Sequence, residues 1–214
     1  MRYILLLTMF LASTAYTAPD FDKTMAAAKQ GYGNAQYNLA FMYANGEGVP
    51  ENDTEAVKWY RKAADQGFGE AQNNLGVIYA NGEGVPENDT EAVKWYRKAA
   101  DQGLARAQYN LGKMYHNGDG VPENDAEAVK WYRKAADQGY TNAQHNLGFM
   151  YANGIGLPEN YIRAYVWWSI AKAQGGSNAA DSLDMLKSMM TKQQIAQAQT
   201  LATKCYESGY KDCD

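Results

Sequence analysis

Two histidines and two cysteines are all the imidazole and thiolate ligands in this 214-residue chain. Neither His116 nor His145 has a second His or Cys at ligand spacing, which speaks against a zinc-type site. Both read as surface or contact residues. Cys205 and Cys213 lie together at the far end and lack the C-x-x-C spacing of dithiol redox motifs. Clustered positive charge is also missing. The formal net charge is -4 with both signs mixed along the chain, so neither a nucleic-acid groove nor an anionic membrane surface is expected as a partner. No apolar run reaches the roughly 20 residues that cross a bilayer. G-x-S-x-G is absent, and no Ser-Lys or Cys-His nucleophile motif stands out. No catalytic residue, metal or cofactor is therefore expected.

The beginning of the chain has its own character. In MRYILLLTMFLASTAYTA, Arg2 is followed by an apolar run from Tyr3 to Leu11 and then by small residues. That is the layout of a secretory signal peptide over residues 1–18. Cleavage after Ala15 fits best, with Ser13 in the preceding small-residue slot, and cleavage after Ala18 ranks second. The protein is expected to be exported, to the periplasm or beyond the cell. In that setting the even pair Cys205 and Cys213 reads as one disulfide stapling a fraying end. Such a short loop contributes roughly 2–3 kcal/mol in the chain-entropy model.

What the chain has in abundance is repetition. Ala-Gln recurs at Ala35-Gln36, Ala71-Gln72, Ala107-Gln108 and Ala143-Gln144, each step being 36 residues. YANGEGVPENDTEAVKWYRKAADQG stands unchanged at 43–67 and 79–103 and returns at 115–139 with three substitutions: His116, Asp119 and Ala126. A fourth copy from Tyr151 has diverged. The units fall at 34–69, 70–105, 106–141 and 142–177. A half-repeat cap at 19–33 precedes them, and capping helices with a disulfide tail follow at 178–214.

Each unit reads as two helices. In the first, about 34–44, Ala35, Leu39, Met42 and Tyr43 share one side at helical spacing. In the second, about 53–66, Ala56, Trp59, Tyr60, Ala63 and Ala64 form an apolar stripe. Gly46 sits where a left-handed helix end is wanted, and Pro50 blocks continuation. Asn52 followed by Glu55 spells a capping box, and Gly67 closes the second helix. The small residues Ala40, Gly76, Gly112 and Gly148 let the helix axes approach closely. One helix pair cannot bury its stripe alone, whereas stacked pairs can. HNGDGVPENDAE at 116–127 superficially suggests a calcium loop, but it lacks the alternating ligands and contains a proline.

The pattern A-x-x-x-L-G-x-(M/I)-Y, then G-x-G-V-P, then A-x-x-W-Y-x-K-A-A-x-x-G resembles the Sel1-like repeat, a relative of the tetratricopeptide repeat, over residues 34–187. The resemblance implies an all-α fold: an α-solenoid, a right-handed superhelix of stacked helix-turn-helix units. Phe21–Gly31 would form an N-terminal half-repeat, and a closing helix at 191–207 would cover the open end. It also implies an adaptor that binds a protein or peptide partner on a concave face lined by first helices. Cysteine-rich members linked to β-lactam binding and hydrolysis carry one disulfide per repeat, whereas these repeats contain no Cys. Other members serve in cell-envelope assembly or polysaccharide export.

Packing positions stay constant between copies, so recognition is sought in what varies. Two variable first-helix slots lie four residues apart, on one face. They hold Tyr37 and Phe41, Asn73 and Val77, Tyr109 and Lys113, then His145 and Phe149. The constant Asn38, Asn74, Asn110 and Asn146 lie beside them and could meet a peptide backbone. Two readings fit these residues: contact with a partner, or packing between first helices with the asparagines bridging units.

Overall fold

The computed structural model describes residues 20–213, so the signal-peptide reading and its two cleavage sites lie outside the described residues. Eleven helices and no strand occur among the described residues. The first helices are α2 (Gly33–Asn45), α4 (Gly69–Asn81), α6 (Ala105–Asn117) and α8 (Thr141–Asn153). Their second helices are α3 (Asp53–Asp65), α5 (Asp89–Asp101), α7 (Asp125–Ala136) and α9 (Tyr161–Ala173). The half-repeat is α1 (Phe21–Lys29), and the chain closes with α10 (Ser177–Met189) and α11 (Lys192–Glu207). Each second helix packs against its own first helix and against the first helix of the next unit.

Helix ends follow the expected punctuation with one correction. Gly46 is left-handed at φ 68°, and its N–H reaches the Met42 carbonyl. The Asn52 side chain accepts the Glu55 N–H at 3.0 Å. The reciprocal half of the capping box is not made. The Asn52 N–H already donates to the Tyr43 carbonyl at 2.8 Å, so the Glu55 carboxylate turns to Lys58 Nζ at 2.6 Å. The same arrangement recurs at Asn88 and Asn124. A reciprocal capping box forms instead at Thr191 and Gln194, opening α11.

The core is a row of aromatic rings on small residues. Trp59, Trp95, Trp131 and Trp167 are buried, as are Tyr60, Tyr96, Tyr132 and Trp168. Removing one such ring typically costs about 3–5 kcal/mol. A methyl group at Gly112 would stand 2.8 Å from the Tyr132 ring, and one at Gly148 would stand 2.6 Å from Trp168. The ring and the first-helix backbone are thus in direct contact.

Glutamines then stitch units together. Gln72 Nε2 donates to the Ala64 carbonyl at 3.0 Å, and Gln102 Nε2 donates to Gln72 Oε1 at 2.7 Å. Three helices meet at that one buried amide. The same pair of bonds is made by Gln36 and Gln66, and by Gln108 and Gln138. On the outer side, Arg61, Arg97 and Arg133 donate to the hydroxyls of Tyr79, Tyr115 and Tyr151 of the following unit.

The last unit departs from this order. Gln174 Nε2 donates to the Tyr210 hydroxyl at 2.8 Å, and its Oε1 accepts from the Thr141 hydroxyl at 2.9 Å. Gln144 Oε1 is left without a protein partner. Cys205 and Cys213, both buried, stand at disulfide distance with Cα atoms 4.5 Å apart and hold the tail that carries Tyr210. α10 is a first helix in register with the others, Ala179 and Leu183 continuing Ala143 and Leu147. α11 then packs against α9 instead of pairing with α10 as a regular second helix would.

The second loop glycine tests the stacking directly. A methyl group at Gly84 (φ 67°) would lie 2.6 Å from the Asp53 backbone of the preceding unit. At Gly48 (φ 71°) it would meet only the tip of Met42, at 3.3 Å, and Phe21 Cβ, at 3.8 Å. Gly48→Ala is expected to cost about 1–2 kcal/mol from left-handed strain alone. Gly84→Ala adds overpacking, for about 2–5 kcal/mol in all. Thermal unfolding followed by circular dichroism should therefore show the larger loss for Gly84→Ala.

Candidate functional site

The two variable slots separate cleanly in space. The second slot is a row on the surface: Phe41 is 40% exposed, Phe149 44%, Lys113 is exposed and Val77 half-buried. The first slot is mostly inside. Tyr37, Tyr109 and His145 are half-buried, and Asn73 is 1% exposed. Asn73 is thus corrected from a contact position to an interior one. It accepts from Asn110 Nδ2 at 3.1 Å and donates to Asn74 Oδ1 at 3.4 Å.

The first-slot rings are held in edge-on and tilted aromatic contacts. Tyr37 lies between Tyr60, at 5.7 Å, and Phe68, at 5.5 Å. Tyr109 lies between Tyr132, at 5.8 Å, and Tyr140, at 5.2 Å. His145 packs on Trp168 at 6.1 Å, while the Trp168 indole N–H donates to the His145 carbonyl at 2.9 Å. These separations suit offset or tilted aromatic pairs. Phe68 and Tyr140 occupy the N-cap positions of α4 and α8, where neither makes a side-chain cap. A ring at that position therefore serves packing.

The asparagines beside the slots largely bridge units. Asn74 lies near the Tyr60 hydroxyl, and Asn146 near those of Tyr109 and Tyr132. Asn38 alone of the four is exposed. Burial pushes the Tyr60 phenol up to about 12, with Asn74 opposing it, and raises Tyr96, Tyr109 and Tyr132 as well.

Repetition carries the row further than four units. Met185 stands 36 residues after Phe149 and is 63% exposed, and Met189 one turn on is 55% exposed. The divergent composition of α10 hides this fifth member. The step from Phe149 to Met185 is the signal that finds it. Phe149, Met185 and Met189 make the C-terminal end of the row apolar, whereas Lys113 marks its middle.

The remaining chemistry-bearing residues have local partners. His116 Nδ1 lies 2.6 Å from Asp125 Oδ1, tying α6 to α7. Asp119 accepts from Asn117, and Asn124 caps α7. The residues that looked like a calcium loop thus serve the turn. No cluster of three His, Cys, Asp or Glu side chains shaped for a metal occurs among the described residues. No described helix is long and apolar enough to cross a membrane.

Stacked helix pairs, a buried amide staple between units and an exposed row on the first helices define a repeat solenoid of the tetratricopeptide-related type. The Sel1 repeat pattern matches residues 33–68, 69–104, 105–140 and 141–176, and the chain belongs to the Sel1 repeat family. Each frame begins one residue before the boundary read from the sequence. Among solved structures, a protective antigen of uropathogenic Escherichia coli with an SLR fold is 35% identical, with TM-score 0.83. The match covers 90% of this chain and 42% of that one, so this chain spans less than half the length of that relative. A Sel1 repeat protein from Oxalobacter formigenes is 34% identical with TM-score 0.73, over 83% of this chain and 74% of that one. Cysteine-rich protein B of Helicobacter pylori, at 22% identity and TM-score 0.50, covers 60% of this chain and 96% of its own. It shares the fold, and nothing further is taken from it. A comparison with curated proteins returns no match.

The buried phenols give a pH prediction. Their folded-state values lie above the ordinary 10, so their neutral forms favour folding. This contribution is complete below pH about 10 and is lost as pH rises through about 12. The unfolding temperature should hold steady from pH 7 to 9 and fall between pH 10 and 12. In the triple variant Tyr60→Phe, Tyr96→Phe, Tyr132→Phe the fall should be shallower.

Proposed function

We propose that this protein is a non-catalytic binding scaffold that acts outside the cytoplasm and engages a protein or peptide on its first-helix face. Sel1 repeats generally mediate protein–protein interaction, and the chain contains four of them. The observation that carries the reading is the exposed row Phe41, Val77, Lys113, Phe149 and Met185. Large apolar side chains stand in solvent at three of these five positions, Phe41, Phe149 and Met185, while Val77 is half-buried and Lys113 is charged. Exposed apolar groups aligned on one face mark interaction surfaces in soluble proteins. The constant parts of each unit are already consumed by caps, turns and core.

Export rests on Arg2 and the apolar run Tyr3–Leu11, and a Cys205–Cys213 disulfide would suit an oxidising compartment. The Escherichia coli relative is described as a protective antigen, which supports a location outside the cytoplasm.

The test is capture from envelope extract on immobilised mature protein. The triple variant Phe41→Ser, Phe149→Ser, Met185→Ser should reduce the captured partner by about tenfold or more. Its circular dichroism should stay unchanged, because all three side chains are exposed. A control with Lys58→Ser and Lys94→Ser on the second helices should capture normally. Full capture by the triple variant would contradict the assignment of this face.

A further inference from the structure

We propose that the junction between α8 and α10 is a receptor site for a tyrosine-like aromatic side chain supplied by a partner. At two junctions the first-slot ring packs against two other rings: Tyr37 edge-on to Tyr60 and tilted against Phe68 in the first unit, and Tyr109 tilted against Tyr132 and Tyr140 in the third. In both, the outer ring comes from the residue before the next first helix, whereas the second unit has Asn73 and Leu104 at these positions. At the fourth unit the inner pair is present as Trp168 and His145, but the covering position is Gly176. The third ring is missing from the chain.

A cavity of about 220 Å³ opens where that ring would lie, walled by Tyr109, His145, Asn146, Gly176 and Asn178. His145 packs on Trp168, has its Nε2 3.4 Å from the Ser182 hydroxyl, and lines this cavity. The backbone at Gly176 is tightly placed, since a methyl group there would stand 2.9 Å from the Ala171 carbonyl oxygen. The chain therefore does not fill the space from that position with a side chain of its own.

The walls select among aromatic occupants. Thr141, Asn142, Ser177 and Asn178 also line the cavity, so most of what surrounds the ring would be hydrogen-bonding groups. A phenol fits better than a phenyl ring here, because its hydroxyl can both donate to and accept from amide and hydroxyl groups, while its ring stacks on the imidazole. Tyrosine also brings large contact area at low entropic cost, which is why it serves so often as an anchor.

The inference rests on the binding reading only in that a partner supplies the ring. Its test needs no partner and leaves the Phe41 and Met185 row untouched, so the two can fail separately. The chain has only two histidines, and His116 lies on α6, bonded to Asp125, outside the residues that line the cavity. Proton NMR of the mature protein titrated with N-acetyl-tyrosinamide should give a saturable upfield shift of the His145 Hε1 signal. The His116 signal should stay in place, and N-acetyl-leucinamide should produce a weaker response. By isothermal titration, His145→Ala should lose the heat of tyrosinamide binding, and His116→Ala should keep it. Absence of a shift, equal shifts of both histidines, or an equal response to leucinamide would overturn the proposal. Undiminished binding by a folded His145→Ala would do the same. If that variant does not fold, the titration of the unmodified protein still decides.

Discussion

In each of the later units an aromatic ring from the second helix rests directly on the backbone of its own first helix, at a residue that has no side chain. Tyr96 on Gly76, Tyr132 on Gly112 and Trp168 on Gly148 leave no room for a methyl group, and interiors packed at that density transmit shape to their surroundings. The first unit manages the same seat with Ala40 beneath Tyr60, both buried. Once the ring is seated, the spacing of the two helices is set. The next unit must then meet the far side of the same second helix. The Gln36, Gln72 and Gln108 amides join three helices at that meeting point, and a buried amide so satisfied rigidifies the arrangement.

Much of this architecture was legible in the residues. The helix pairs and the Gly46-type ends follow from local rules acting in repeated copies, while the half-repeat at Phe21–Gly31 and the closing helix were implied by the family resemblance. Helix propensity, caps and periodicity are short-range properties, so the sequence carries them on its surface. The capping box is the instructive exception. Asn52 and Glu55 have the correct spacing, but the Asn52 N–H is claimed by Tyr43 across the loop. A non-local bond displaced the local one, and the spacing alone could not reveal it.

The candidate binding face was legible in outline and not in detail. Variation between copies located both slots, and the four-residue interval placed them on one side of the helix. That interval could not say which slot faces water, because the answer depends on rings from elsewhere. Tyr37 is drawn inward by Tyr60 and Phe68, Asn73 is buried by its bonds to Asn74 and Asn110, and Phe41 has no such partners drawing it in. Met185 was hidden because α10 has lost the Ala-Gln signature while keeping its register. The meaning of the cavity at Gly176 appears only when the three-ring clusters of the first and third units are known. Difference between repeats therefore carries functional meaning in two ways: by what projects, and by what has been left out.

The account's central claim is that recognition occurs on the first-helix face. Hydroxyl-radical footprinting of the protein with and without its captured partner tests this most directly. Met185, Met189, Phe149 and Phe41 are exposed on that face, and Tyr206, 57% exposed on α11, reports on a surface outside it. The account predicts that the partner shields the first-helix residues from oxidation while Tyr206 reacts as before. Unchanged oxidation of Met185 and Phe149 in the complex, with protection found on the second helices or at Tyr206, would contradict it.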